Sequence, residues 1–162
     1  MQSGTTMEVN KLKWCFGIKE GIRKIDPNDN LAKSYLEEAK SSLLRAEKNF
    51  QDKDLLWATV VIYYAEYYAL YSFLQRIGIK CGNHFCSILA VTCILGEDTT
   101  QIINNHKNKR IDAQYYMGVG KEKNVENMLI EAKKFVLMFN DLVLNLNEEE
   151  IGNYIVKIME QK

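Results

Sequence analysis

The sequence predicts an all-α fold, an up-and-down helical bundle of four to five helices with short accessory helices, and three observations carry that prediction. The run Leu55–Ile77, LLWATVVIYYAEYYALYSFLQRI, is apolar most of the way round. Segments 31–51 and 121–146 each carry one apolar stripe at alternating spacings of four and three. The chain holds a single proline, Pro27, and shows no convincing strand, internal repeat or second domain.

The run at Leu55–Ile77 is the expected centre. Leu56, Val60, Tyr63, Tyr67, Leu70, Leu74 and Ile77 line one helical face, and Trp57, Val61, Tyr64, Tyr68 and Tyr71 make a second stripe beside it. A surface helix needs one such stripe, so this one must be covered on several sides. It is also long enough for a bilayer. Glu66 in mid-run and five tyrosines crowded away from the ends argue against a membrane span.

The other elements follow in order. Residues 1–6, MQSGTT, read as a disordered leader or vector remnant, and 7–162 as a single domain. Residues 7–25 predict a short helix and a turn, weakened by Gly17 and Gly21. The DPNDN run, 26–30, marks a boundary and offers helix caps. In 31–51, small and large residues alternate through Ala32, Leu36, Ala39, Leu43, Ala46 and Phe50, a face suited to lie close against the tyrosine-rich helix. The turn at 52–54 is short enough to make these two helices antiparallel. Asn83 caps a helix over His84–Leu95 that Gly96 ends. A shorter piece over 99–106 leads into the basic HKNKR run. The last long helix, 121–146, carries Val125, Met128, Ala132, Phe135, Phe139, Leu142 and Leu146, and an amphipathic turn or two at 151–159 closes the chain.

Composition narrows the function classes. A count of 21 basic against 21 acidic residues gives a formal charge of zero, so any nucleic-acid contact must be local. The start of the chain lacks the pattern of a secretory signal, which predicts a cytoplasmic protein whose cysteines stay reduced. Cys15, Cys81, Cys86 and Cys93 make no CxxC pair, and Cys81, His84, Cys86 and His106 fit no familiar zinc spacing. No metal or cofactor is expected.

The densest polar constellation is RIDAQYY, residues 110–116, preceded by His106, Lys107 and Lys109. Arg110 offers a fork of donors suited to phosphate or carboxylate. Asp112 can orient that fork, and Tyr115 and Tyr116 offer hydroxyls and flat faces on which a base can stack. His84 and His106 are the side chains that titrate near neutrality and join the candidate ligand-binding set. The signatures GxSxG and HExxH and a phosphate-cradling glycine loop are absent. The structural alternative has Arg110 and Asp112 pairing within the bundle while the tyrosines complete the core.

These residues carry a resemblance to HEPN domains, the "higher eukaryotes and prokaryotes nucleotide-binding" helical fold, and in particular to an archaeal branch. It rests on KWC at 13–15, Gly21 and Ile22, Pro27 and Asn28, YLEEAKSSL at 35–43, YYAEYYALY at 63–71, IGIKC at 77–81, His84 and RIDAQYY, and it spans nearly all of the chain after Met7. The resemblance implies a bundle of four or five helices, a homodimer with a cleft between subunits, and metal-independent ribonuclease action. It also implies a toxin role beside a minimal nucleotidyltransferase. In such members an Arg followed four to six residues on by a His carries the cleavage. Arg110 matches the Arg, but Tyr115 stands where the His is expected. A phenol near pKa 10 moves protons poorly at neutral pH.

The expectation is therefore a cytoplasmic HEPN-type homodimer that binds a nucleotide or RNA phosphate through Arg110, with Asp112, Tyr115 and Tyr116 shaping the site. Its ribonuclease activity, assigned to Arg110 and Tyr115, is weak or absent. The rival is a non-catalytic structural or interaction module.

Overall fold

Seven helices and one two-residue ladder make up the described residues, 6–162, of the computed structural model. In chain order they are α1 (Thr6–Gly17), β1 (Arg23–Lys24), α2 (Asp29–Gln51), α3 (Leu55–Ile77), β2 (Ile79–Lys80), α4 (His84–Leu95), α5 (Glu97–Tyr116), α6 (Glu122–Asn145) and α7 (Glu148–Met159). The mostly helical bundle matches the predicted class. The leader predicted over 1–6 lies outside the described residues, apart from Thr6, which opens α1.

The core forms around α3 because its sequence leaves no polar face. The helices α2, α4, α5, α6 and α7 all pack against it. The predicted faces of its neighbours are the buried ones, with Ala32, Leu36, Ala39 and Ala46 of α2 and Val125, Met128, Ala132, Phe135 and Phe139 of α6 all covered. The alanines of α2 let it approach closely enough for the Ser72 hydroxyl to donate to the Ala32 carbonyl at 2.8 Å. Tyr35 then meets Tyr71 edge-on and stacks with Tyr68. Among the described residues no helix is long and apolar enough to cross a membrane.

Local chemistry sets the helix ends. The Asn28, Asp54, Asn83 and Asn147 side chains each accept from a backbone N–H in the first turn of the helix that follows. Asn147 and Glu150 complete a capping box. Gly78 ends α3 at φ 83°, and a Cβ there would stand 2.6 Å from the Ile25 carbonyl oxygen, so two reasons converge on glycine. Arg76, two residues earlier, reaches Asp29 at 2.9 Å and the Leu146 carbonyl at 3.2 Å, tying the start of α2 and the end of α6 to α3.

Three expectations need correction. First, β1 pairs antiparallel with β2 in the register Arg23 to Lys80 and Lys24 to Ile79, a ladder too short to leave an alternating pattern in the sequence. Second, the basic run and RIDAQYY belong to one continuous helix, α5, because 99–116 contains no glycine or proline to break it. Third, Cys15 and Cys86 form a disulfide that joins α1 to α4, while Cys81 and Cys93 are free thiols. With Cys86 so bonded, the metal set imagined for Cys81, His84, Cys86 and His106 cannot assemble.

Candidate functional site

The continuous α5 decides which of its polar residues can act together. A helix advances about 100° per residue, so Arg110 shares a face with residues three and four positions away, while a residue five on points about 140° aside. Arg110 donates to Gln114 at 3.2 Å, four residues on. Tyr115 and Tyr116, 66% and 77% exposed, lie on the open end of the helix, where they neither complete the core nor contact Arg110. Asp112 is also turned away. It lines a small cavity of about 100 Å³ with Thr59, Lys109 and Asn124. Among the described residues no ion pair joins Arg110 to Asp112, so the pairing considered for them is not formed.

Arg110 instead lies against the tyrosines of α3. Its guanidinium carbon is 4.8 Å from the centre of the Tyr63 ring and 5.9 Å from that of Tyr64. His84, the first residue of α4, closes the other side. It stacks on Tyr67 with ring centres 3.7 Å apart and shares a 2.9 Å hydrogen bond between its Nδ1 and the Tyr63 hydroxyl. Lys107, one turn before Arg110, stands over Phe85 at 5.4 Å. The group thus gathers Arg110, His84 and Lys107 on a wall of aromatic rings drawn from α3 and α4.

The electrostatics of this group are those of cations lacking a counter-charge. Burial, then Arg110, then Lys107 hold His84 below its ordinary range, so its imidazole is neutral at pH 7. Burial and the neighbouring Arg110 likewise pull Lys107 down. Burial pushes the Tyr63 phenol up, against the opposing pull of Arg110, and keeps it protonated. The direction of the Tyr63–His84 bond then sets the outer ring nitrogen. If the phenol donates, Nε2 carries a hydrogen for a phosphate oxygen; if Nδ1 donates, Nε2 keeps a lone pair able to accept a proton. Neither Arg110 nor Lys107 forms an ion pair among the described residues, and the Arg110 Nε is buried without a hydrogen-bond acceptor. Such donors are suited to an oxyanion, a carboxylate or a phosphate.

His106 belongs to a different device. It is 1% exposed, with Nδ1 at 2.6 Å from Glu66 Oε1 and Nε2 at 2.9 Å from Glu131 Oε2. It lies four residues before Arg110 on α5, but Glu66 and Glu131 occupy both ring nitrogens, so its candidate ligand-binding role gives way to that of counter-ion for the acidic residue buried in α3. Burial raises the Glu66 carboxyl to about 7 against the lowering contacts of His106. Burial alone would lower His106, but its bonds to and charge attraction from Glu66 and Glu131 prevail and raise it.

The sequence singled out Arg110 and His84, and the structure brings them together. It missed Lys107 as a partner and Tyr63, Tyr64 and Tyr67 as the wall. The missed signal is their helical register, since 63, 64 and 67 share one side of α3 and 107 and 110 one side of α5. No family model, curated protein or solved structure matches the chain.

Proposed function

We propose that the protein is a HEPN-type domain that binds the phosphate of a nucleotide or of RNA at Arg110, assisted by His84 and Lys107. The observation that carries the proposal is the cluster of three basic side chains on aromatic rings without a carboxylate among their partners. The resemblance in RIDAQYY and the tyrosine-rich helix supports the same ligand class. In that family an Arg and a His four to six residues on act together, whereas here the imidazole that shares the Tyr63 contact with Arg110 comes from α4. Metal-independent ribonuclease action is weak or absent in this proposal, because an imidazole held below its usual range is a poor base.

The proposal includes a homodimer, a toxin-like role beside a minimal nucleotidyltransferase, and a cytoplasmic location. Exposed Ile130, Leu137 and Leu144, seven residues apart on α6, support a contact with a partner or a second copy, and equally support the reading as a plain interaction module. The Cys15–Cys86 bond bears on location. Intracellular disulfides are frequent in hyperthermophilic archaea and bacteria, which agrees with the archaeal branch of the resemblance.

Fluorescence anisotropy of a labelled single-stranded RNA tests the phosphate site. Arg110→Ala is expected to weaken binding by at least tenfold, the scale of one charge-assisted contact. It also shallows the salt dependence by about one counter-ion. Equal affinity of Arg110→Ala and wild type would remove Arg110 from the site.

A further inference from the structure

We infer that Trp14 and Phe85 form a stacking platform for a base of single-stranded nucleic acid, set beside the phosphate cluster; the inference rests on the phosphate-binding reading above. Trp14 is 52% exposed although α1 buries Leu12 and Cys15, so the indole is not part of the face by which α1 packs. Phe85 is 39% exposed, and the two ring centres are 6.4 Å apart at 62°. The platform is held from beneath. Cys15 and Cys86, the residues immediately after Trp14 and Phe85, are fully buried and bonded to each other, which ties α1 to α4 next to the two rings, in edge-to-face contact.

Charge complementarity selects the occupant. Lys107 sits 5.4 Å from the centre of the Phe85 ring and is i,i+3 to Arg110, so a line runs from the indole through Phe85 and Lys107 to the guanidinium. An apolar protein helix would bring no charge for Lys107 and Arg110. A nucleic-acid strand brings a flat base for the rings and a phosphate for the cations. Stacking on aromatic rings tolerates any base, and it requires an unpaired one, because a duplex keeps its bases stacked on each other.

The test uses two labelled ten-nucleotide strands, oligoadenylate RNA and an abasic ribose-phosphate strand of the same length. Trp57→Phe leaves Trp14 as the one remaining tryptophan. In that background oligoadenylate should bind roughly tenfold more tightly than the abasic strand, the scale of one stacked base. Only oligoadenylate should quench Trp14 emission. Trp14→Ala should erase the preference, and Arg110→Ala should weaken both strands. Circular dichroism checks that the half-exposed indole is removed without loss of fold. If both strands bind equally, or Trp14→Ala keeps the preference, while Arg110→Ala still weakens binding, the platform is overturned and the phosphate site stands. If neither strand binds the Trp57→Phe protein or wild type, the phosphate site falls, and the platform with it. Binding of an apolar peptide at Trp14 in place of either strand likewise overturns the assignment.

Discussion

His106→Ala is expected to destabilise the protein by about 3–5 kcal/mol, the cost of leaving a buried charge without its partner. For a chain of this length that is a fall in melting temperature on the order of 10 °C. Glu66 is fully buried in α3, and its Oε2 has no hydrogen-bond partner, so His106 is its main compensation. Replacing the pair with leucines should recover much of the loss, because apolar packing replaces both the charge and its counter-charge. A double variant no more stable than His106→Ala would contradict this account.

The same pair gives stability a pH dependence of definite sign. Glu66 and His106 both titrate higher in the folded chain than their ordinary values of 4.5 and 6.5. A group raised by folding contributes fully below its unfolded pKa, and the contribution is lost as pH rises through the folded pKa. The Glu66 window therefore runs from 4.5 to about 7, and that of His106 opens at 6.5 and extends upward. His84, lowered by folding, acts in the opposite sense below 6.5. The denaturation midpoint should thus fall as pH rises above 6.5, and Glu66→Gln should flatten that fall. A midpoint that rises above pH 6.5 would exclude the triad as its cause.

Reducing Cys15–Cys86 is the second large effect. The bond closes a loop with a sequence separation of 71. On the chain-entropy model such a loop restricts the unfolded chain by about 4 kcal/mol. Cys15→Ser with Cys86→Ser should lower the denaturant midpoint accordingly and free α1 first, since α1 packs mainly on α4. Thiol titration of the unreduced, unfolded protein should find Cys81 and Cys93 alone. Four reactive thiols before reduction would contradict the bond.

Much of the bundle was legible because helix periodicity is a local property. The two-striped run at 55–77, the alanine-rich face of α2 and the caps at Asn83 and Gly96 needed no knowledge of distant residues. The departures are long-range. Glu66 announces that something must compensate it, but the compensating His106 lies 40 residues away, and nothing local names it. Cys15 and Cys86 meet only because α1 folds back on α4. RIDAQYY misleads for a different reason, since residues adjacent in sequence diverge around a helix. Arg110 faces Tyr63 while Asp112 faces the cavity shared with Thr59 and Asn124. The site was therefore visible as residue types and invisible as an arrangement.

The chain has two histidines, His84 and His106, so ring proton resonances separate them. The decisive measurement is the NMR titration of both rings with and without saturating ribonucleotide. Burial and then the charges of Arg110 and Lys107 hold His84 down; a phosphate docked there offsets the charges, so the His84 midpoint should move upward while that of His106, between Glu66 and Glu131, stays in place. A His84 midpoint unmoved by ribonucleotide would contradict a phosphate site at this cluster.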